Sequence, residues 1–185
     1  LLAIITYFKK DIFNFEKNKN IFFKILISSL PTMIVGYFLV HFALIDYLRN
    51  YKLIGWTTII FGIFLYFSDL KQTTNTIKNN YSLKTALYIG FFQILSLVPG
   101  VSRSGITITG ARFFSFNRID SVKISFLMSI PTLGAISVFN FQNQLIEKNL
   151  EFSTLNLICV VFSFFFSFFT IKFFLNFLKK FSLVY

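Results

Sequence analysis

The chain has 185 residues, of which 55% are apolar, 21% aromatic and only 14% charged; a soluble domain carries about 25% charged residues, so this composition excludes an ordinary water-soluble fold and reads as an integral membrane protein. The net charge of +11 does not point to nucleic acid, because the basic residues lie in connections between long apolar runs and form no stripe on a soluble module; anionic lipid headgroups are the expected partner. Cys159 stands alone in an apolar segment, which excludes a disulfide framework and a cysteine-based metal site and leaves packing as its expected role.

In chain order, the first apolar stretch is Leu1 to Phe8. It is too short to cross a hydrocarbon layer that needs about 20 helical residues, and it reads as the tail of another span, cut from a longer chain. No basic n-region or small-residue cleavage site marks it as a signal peptide. Four segments are long enough to span or nearly so: Phe22 to Leu44, Leu53 to Ser68, Ile124 to Phe141 and Leu155 to Phe177. His41 lies near the end of the first, where an interfacial role is expected rather than catalysis. Pro31 and Pro131 fall inside two of the spans as kinks or tolerated residues, and the Phe162 to Phe169 cluster is expected to face lipid or to pack.

Between the second and third spans the pattern breaks. Thr85 to Val98 is apolar but short, Pro99-Gly100 interrupts it, and Ile106 to Phe116 is short again, so two half-helices fit better than one crossing. The Lys/Arg bias of short loops tests this. If residues 85–116 dip in and return as a re-entrant hairpin, 14 of the 18 basic residues lie on one side (Lys9, Lys10, Lys17, Lys19, Lys24, Lys71, Lys78, Lys84, Arg112, Arg118, Lys123, Lys172, Lys179 and Lys180). Three lie on the other (Arg49, Lys52 and Lys148), and Arg103 is left at the tip. A full crossing instead leaves the two sides nearly even.

The tip itself, Val98-Pro99-Gly100-Val101-Ser102-Arg103-Ser104-Gly105-Ile106-Thr107, carries the chemistry. A charge near the bilayer centre costs roughly 2.5 to 3.5 kcal/mol on insertion scales, so an arginine there marks a functional site. Pro99 removes a donor and the glycines permit a sharp turn. A helix restarting near Ser104 aims its amides and positive dipole end at the cavity. Arg103 can grip a phosphate bidentately, and Ser102, Ser104 and Thr107 can donate to it. Plainer roles stand beside these: Arg103 could satisfy carbonyls at a broken helix, Ser102 and Ser104 could cap the returning one, and Gln93 and Thr107 could bridge helices. Capping and phosphate contact are compatible. No P-loop, Rossmann fingerprint or HExxH motif occurs.

The run Leu87 to Thr107, with Gln93 and the PGxSRSGxT pattern from Pro99 to Thr107, followed by Ser125-Phe-Leu-Met-Ser-Ile-Pro131, resembles the undecaprenyl-diphosphatase (bacitracin-resistance) family. The resemblance implies an all-α, polytopic membrane fold of inverted-repeat architecture, with residues 1–185 forming part of a single transmembrane domain and residues 85–116 its second re-entrant hairpin. It also implies a multi-pass enzyme of the bacterial inner membrane. Such an enzyme hydrolyses undecaprenyl diphosphate to undecaprenyl phosphate, recycling the lipid carrier for peptidoglycan synthesis and conferring bacitracin resistance. Arg103 and Ser102 are then the expected catalytic residues, and Ser104, Gly105, Thr107 and Gln93 the expected substrate-binding ones.

A divalent metal, Mg²⁺ or Ca²⁺, is implied by the same resemblance, with ligands outside this chain. The family's first signature, an acidic stretch followed by Ser-Ser-Thr-Gly-His, is absent and would lie upstream of Leu1; a last helix would follow Tyr185. The 185-residue piece alone is therefore expected to be inactive. The acidic residues agree, since Asp11, Glu16, Asp46, Asp69, Asp120, Glu147 and Glu151 all fall in connections or at segment ends. The alternative class is a membrane transporter of an anionic or lipid-phosphate substrate, because a broken helix with an arginine at mid-depth suits alternating access equally well. A third is a structural membrane subunit.

Overall fold

The computed structural model describes residues 1–9, 15–42, 49–70, 73–146 and 154–178, with the side chains of 15–18 and 143–146 left out. Lys10, Asp11, Asp46, Lys71, Glu147, Lys148, Glu151, Lys179 and Lys180 lie outside the described residues, as do the side chains of Glu16 and Lys17. The described elements are α1 (Leu2–Tyr7), α2 (Phe15–His41), α3 (Tyr51–Leu70), α4 (Ile77–Asn80), α5 (Leu83–Ile94, extended by a 3₁₀ turn Leu95–Leu97), α6 (Arg103–Phe113), α7 (Arg118–Ile146) and α8 (Thr154–Leu178). An apolar layer offers no partner for backbone groups, and helices satisfy theirs internally.

Helices α2, α3, α7 and α8 each contain a stretch long and apolar enough to cross a membrane. They coincide with the four spans read from hydropathy, three of them overrunning the expected bounds at both ends; α2 begins before Phe22 and ends at His41, and the expected end at Leu44 lies outside the described residues. Helix α2 is already helical at Phe15 and α7 starts at Arg118, because charge marks the edge of an apolar stretch and not the end of a hydrogen-bonded helix. Asn117 supplies the start of α7, its side-chain oxygen accepting the Asp120 N–H at 2.8 Å. Both Pro31 and Pro131 lie within continuous helix.

The outward faces are apolar. Within the Phe162–Phe169 cluster, Phe162, Phe165, Phe166 and Phe169 are exposed, while Phe164 and Phe168 pack against the core, as one of the two roles expected of it. Cys159, expected to pack, is exposed. The reason is that the buried residues of α8 are Ile171, Leu175 and Leu178 in its second half, which leaves the turn bearing Cys159 on the outside. The short α1 lies against α8, with Tyr7 6.1 Å from Phe168.

Inside, the chain folds back on itself. Helices α5 and α6 pack together, α5 lies along α2, and α6 is held between α3 and α7. The fit of α5 on α2 depends on Gly90, where a Cβ would run into the Ser28 carbonyl group; Thr32 donates to the Gly90 carbonyl at 3.4 Å from the same helix. Small residues let helix backbones approach this closely.

The base of the α5–α6 hairpin is knotted. The Asn75 N–H donates to Ser115 O and the Asn117 N–H to Asn75 O, each at 3.0 Å, so the chain enters and leaves the hairpin at one place. Ser115, at φ 66°, turns the chain out of α6. Beside it, Asp69 at the end of α3 lies 2.9 Å from Arg118 Nε and 3.4 Å from Arg112 Nε. Arg112 also donates to Thr73 Oγ1, to Phe116 O and to Asp69 O, the last two at 3.0 Å. Arg112 reads in the sequence as a loop charge, but it is buried at 2% exposure and ties α3 to the hairpin. Lys24 of α2 donates to Tyr81 O at 2.6 Å, bringing a third helix to the same end.

Two outcomes follow from this packing. Gly90→Leu forces α2 and α5 apart and should lower stability by about 1–3 kcal/mol, as overpacking does, read as a fall in melting temperature in detergent. Asp69→Asn leaves the buried Arg112 guanidinium without its counter-charge and should cost about 3–5 kcal/mol; an unchanged melting temperature would show that the knot contributes nothing.

Candidate active site

The tip of the hairpin sits far from its base. It meets α3 at Thr57, thirteen residues before Leu70, which at 1.5 Å per residue is about 20 Å up the helix. The Thr57 hydroxyl lies 2.7 Å from Pro99 O and 2.9 and 3.1 Å from the carbonyls of Leu53 and Ile54 in its own helix, so it bridges α3 to the tip. Thr58 Oγ1 lies 3.1 Å from Gly100 O. Gly100 has φ 91°, and a Cβ there would fall 2.6 Å from Ile54 O; only glycine passes here.

Helix α6 then begins at Arg103, with Ser102 as its cap: Ser102 Oγ accepts the Gly105 N–H at 3.2 Å. Gly105 allows this approach, since a Cβ on it would lie 3.1 Å from that of Ser102. Ser104 Oγ is 3.3 Å from Ser102 Oγ, and both serines are exposed. The expected capping role and a hydroxyl surface are therefore both present. The unpaired amides of the first turn point the same way.

Arg103 is half-buried, and its Nη1 donates to Thr132 Oγ1 of α7 at 2.9 Å. Thr132 is the fifteenth residue of the 29 in α7, which sets the guanidinium level with the middle of the longest helix. Among the described residues no carboxylate forms an ion pair with it, whereas Arg112 and Arg118 both have Asp69.

The six residues singled out by sequence do not share one surface. Ser102, Ser104 and Gly105 line a cavity of about 280 Å³ together with Ser125, its other walls including Leu65, Phe126 and Phe174. Arg103 turns instead along α7. Thr107 is buried at 1%, one turn below Arg103, with its hydroxyl 2.8 Å from Arg103 O and 2.6 Å from Ser125 Oγ; helix bridging accounts for it. Gln93 is buried at 1% on the inward face of α5, and neither atom of its carboxamide has a hydrogen-bond partner in the structure. A buried amide left so costs about 1–3 kcal/mol per group, which fits a side chain whose partner is a ligand or a water. His41 ends α2 and stacks on Tyr37 at 5.9 Å, away from the tip.

Sequence reasoning missed the hydroxyls that hold the tip from outside. Ser125 and Thr132 lie seven residues apart, two turns on one face of α7, with Ser129 between them, and all three are buried. That spacing was the available signal.

The described residues do not fit a divalent cation at the tip. A guanidinium, hydroxyls and helix amides attract an anion, and no three His, Cys, Asp or Glu among the described residues come together. Asp69 and Asp120 are engaged at the base, the latter by the Ile77 N–H and by Asn117 Nδ2, each at 3.1 Å.

The chain matches, over residues 1–185, the family described as Bacitracin resistance protein BacA. The undecaprenyl-diphosphatase of Pelagibacter ubique (strain HTCC1062) is 48% identical over 184 residues, which is 99% of this chain and 72% of that protein. An undecaprenyl-diphosphatase of Jannaschia sp. (strain CCS1) is 43% identical over 117 residues, 63% of this chain and 44% of the relative. One of Saccharophagus degradans (strain 2-40 / ATCC 43961 / DSM 17024) is 33% identical over 192 aligned positions, 97% of this chain and 72% of the relative. Matched from its first residue to its last and nearly half identical to a relative across almost its whole length, the chain belongs to the bacitracin resistance protein BacA family.

Proposed function

We propose that this chain serves the hydrolysis of undecaprenyl diphosphate, in which water adds to phosphorus, the anhydride P–O bond breaks, and undecaprenyl phosphate and inorganic phosphate leave. The observation that carries the assignment of the site is Arg103: a half-buried cation at the hairpin tip, without a carboxylate partner among the described residues, beside two exposed hydroxyls at a helix N-terminus. Such an arrangement neutralises charge on a diphosphate as it develops, the largest single contribution in many phosphoryl and acyl transfers.

In this reading Arg103 binds the diphosphate, and Ser102 holds the first turn of α6 in place while its hydroxyl faces the substrate. Ser104 and the Gly105 backbone line the cavity on the other side of the same turn, and the diphosphate spans from that cavity to the guanidinium on the α7 side. Thr107 holds the helix from behind, and Gln93, on the separate inward face of α5, keeps both atoms of its carboxamide for a water or ligand there. The apolar walls of the adjoining cavity, Leu65, Phe126 and Phe174, suit the start of a polyprenyl chain. In this proposal the group that activates water lies outside the described residues, since Asp69 and Asp120 are engaged at the base and His41 is stacked on Tyr37 at the end of α2. Any Mg²⁺ or Ca²⁺ that serves the reaction is held there too, and no step runs through a metal bound by the residues described.

The hairpin is re-entrant in this proposal, entering and leaving on the cytoplasmic face of a bacterial inner membrane, and it forms one arm of an inverted repeat. The knotted base supports it, because Asn75 and Asn117 cannot lie on opposite faces while hydrogen-bonded. The transporter alternative shares the broken helix, but the names of the relatives favour hydrolysis.

Two experiments test these statements. In the full-length protein, Arg103→Ala should reduce phosphate release from undecaprenyl diphosphate by about 100- to 1000-fold while membrane insertion and melting temperature hold; near-normal turnover would reject the role. In a Cys159→Ser background, Asn79→Cys and Ile119→Cys should react with a membrane-impermeant maleimide from the same face, opposite to Lys52→Cys. Labelling of residues 79 and 119 from opposite faces would overturn the re-entrant topology.

A further inference from the structure

We propose that Thr132 is a positioning residue, setting the plane of the Arg103 guanidinium against the diphosphate without neutralising it. The inference rests on the reading of Arg103 given above. Thr132 is buried at 4% exposure in the middle of α7, where a hydroxyl is there for a partner or is a liability. Its oxygen lies 3.0 Å from Met128 O and 3.2 Å from Ser129 O, so its proton is given to its own helix and its lone pairs face outward. One of them takes the Arg103 Nη1–H at 2.9 Å.

A guanidinium is planar and carries five donors in a fixed fork. Holding one terminal nitrogen therefore orients the whole group and leaves the remaining donors for a second acceptor. The choice of acceptor matters. A carboxylate in this place would hold the arginine as firmly but cancel its charge, as Asp69 does for Arg112 and Arg118. A threonine aligns the fork and leaves the full positive charge for an anionic ligand.

Helix α6 is fixed separately. Ser125, two turns earlier on the same face of α7, lies 2.6 Å from Thr107 Oγ1 and 3.4 Å from Ser104 O. Rotation of α6 is thus restrained by Ser125, which leaves Thr132 to act on the arginine side chain alone. Removing the Thr132 hydroxyl should free the fork without moving the hairpin, so its effect belongs to turnover and not to folding.

The test uses the full-length protein with undecaprenyl diphosphate as substrate. Thr132→Val, which keeps the shape and removes the hydroxyl, should lower kcat/KM by about tenfold to a hundredfold, the range for losing a hydrogen bond to a charged group. Thr132→Ser should stay within about threefold of the parent, and both variants should keep its melting temperature within a few degrees. In an Arg103→Lys background the Thr132→Val change should cost less than about twofold, because an ammonium has no plane to set. Parent-like rates for Thr132→Val, failure of serine to rescue, or an equal loss in both backgrounds would overturn the positioning role. Those outcomes are distinct from a failure of the underlying reading, which would appear as parent-like turnover in Arg103→Ala itself.

Discussion

A helix that stops leaves carbonyls and amides that need partners, most of all inside an apolar layer, where this hairpin is proposed to turn, and its tip finds them in neighbouring hydroxyls. The carbonyls of Pro99 and Gly100 face Thr57 and Thr58 of α3, and the Gly105 amide is taken by Ser102. What remains at the mouth is the first turn of α6, two exposed hydroxyls and one guanidinium. The reversal is held together by its neighbours, and what it leaves over is a cation, helix amides and hydroxyls that can donate, a set suited to an anion.

The three arginines around the hairpin show how position decides role. Arg112 and Arg118 share Asp69 at the base, and Arg112 is further bonded to Phe116 O and Asp69 O; removing their counter-charge would leave a buried cation stranded. Arg103, about 20 Å away along α3 and α7, meets a neutral hydroxyl and no carboxylate among the described residues. The first two are fastenings and the third is the one proposed to meet the substrate, although all three are the same residue within sixteen positions.

Much of this was legible in the sequence because hydropathy and helix-breaking residues act locally. The four long helices, the break at Pro99-Gly100, the restart near Ser104 and the family itself could all be read before the structure. What could not be read depends on partners far apart in the chain. Arg112 looks like any loop cation until Asp69, forty-three residues earlier, is seen beside it. Thr132 is one more hydroxyl in an apolar helix until Arg103 is placed against it. Cys159 looks like a core residue because its segment is apolar all round, and only packing shows which half of α8 is covered. The shared pocket expected for Arg103, the serines, Thr107 and Gln93 divides, since adjacent residues on a helix point about 100° apart.

The left-handed glycine at the tip has a mechanical consequence. With Gly100 pressed on Ile54 and Pro99 suspended from Thr57, the apex cannot slide independently of α3. When a lipid sheet thins or thickens, long apolar helices respond by changing tilt, and α3 would carry the apex with it. Any tilt of α3 therefore moves the turn that carries Arg103 with it, through one threonine and a residue with no side chain.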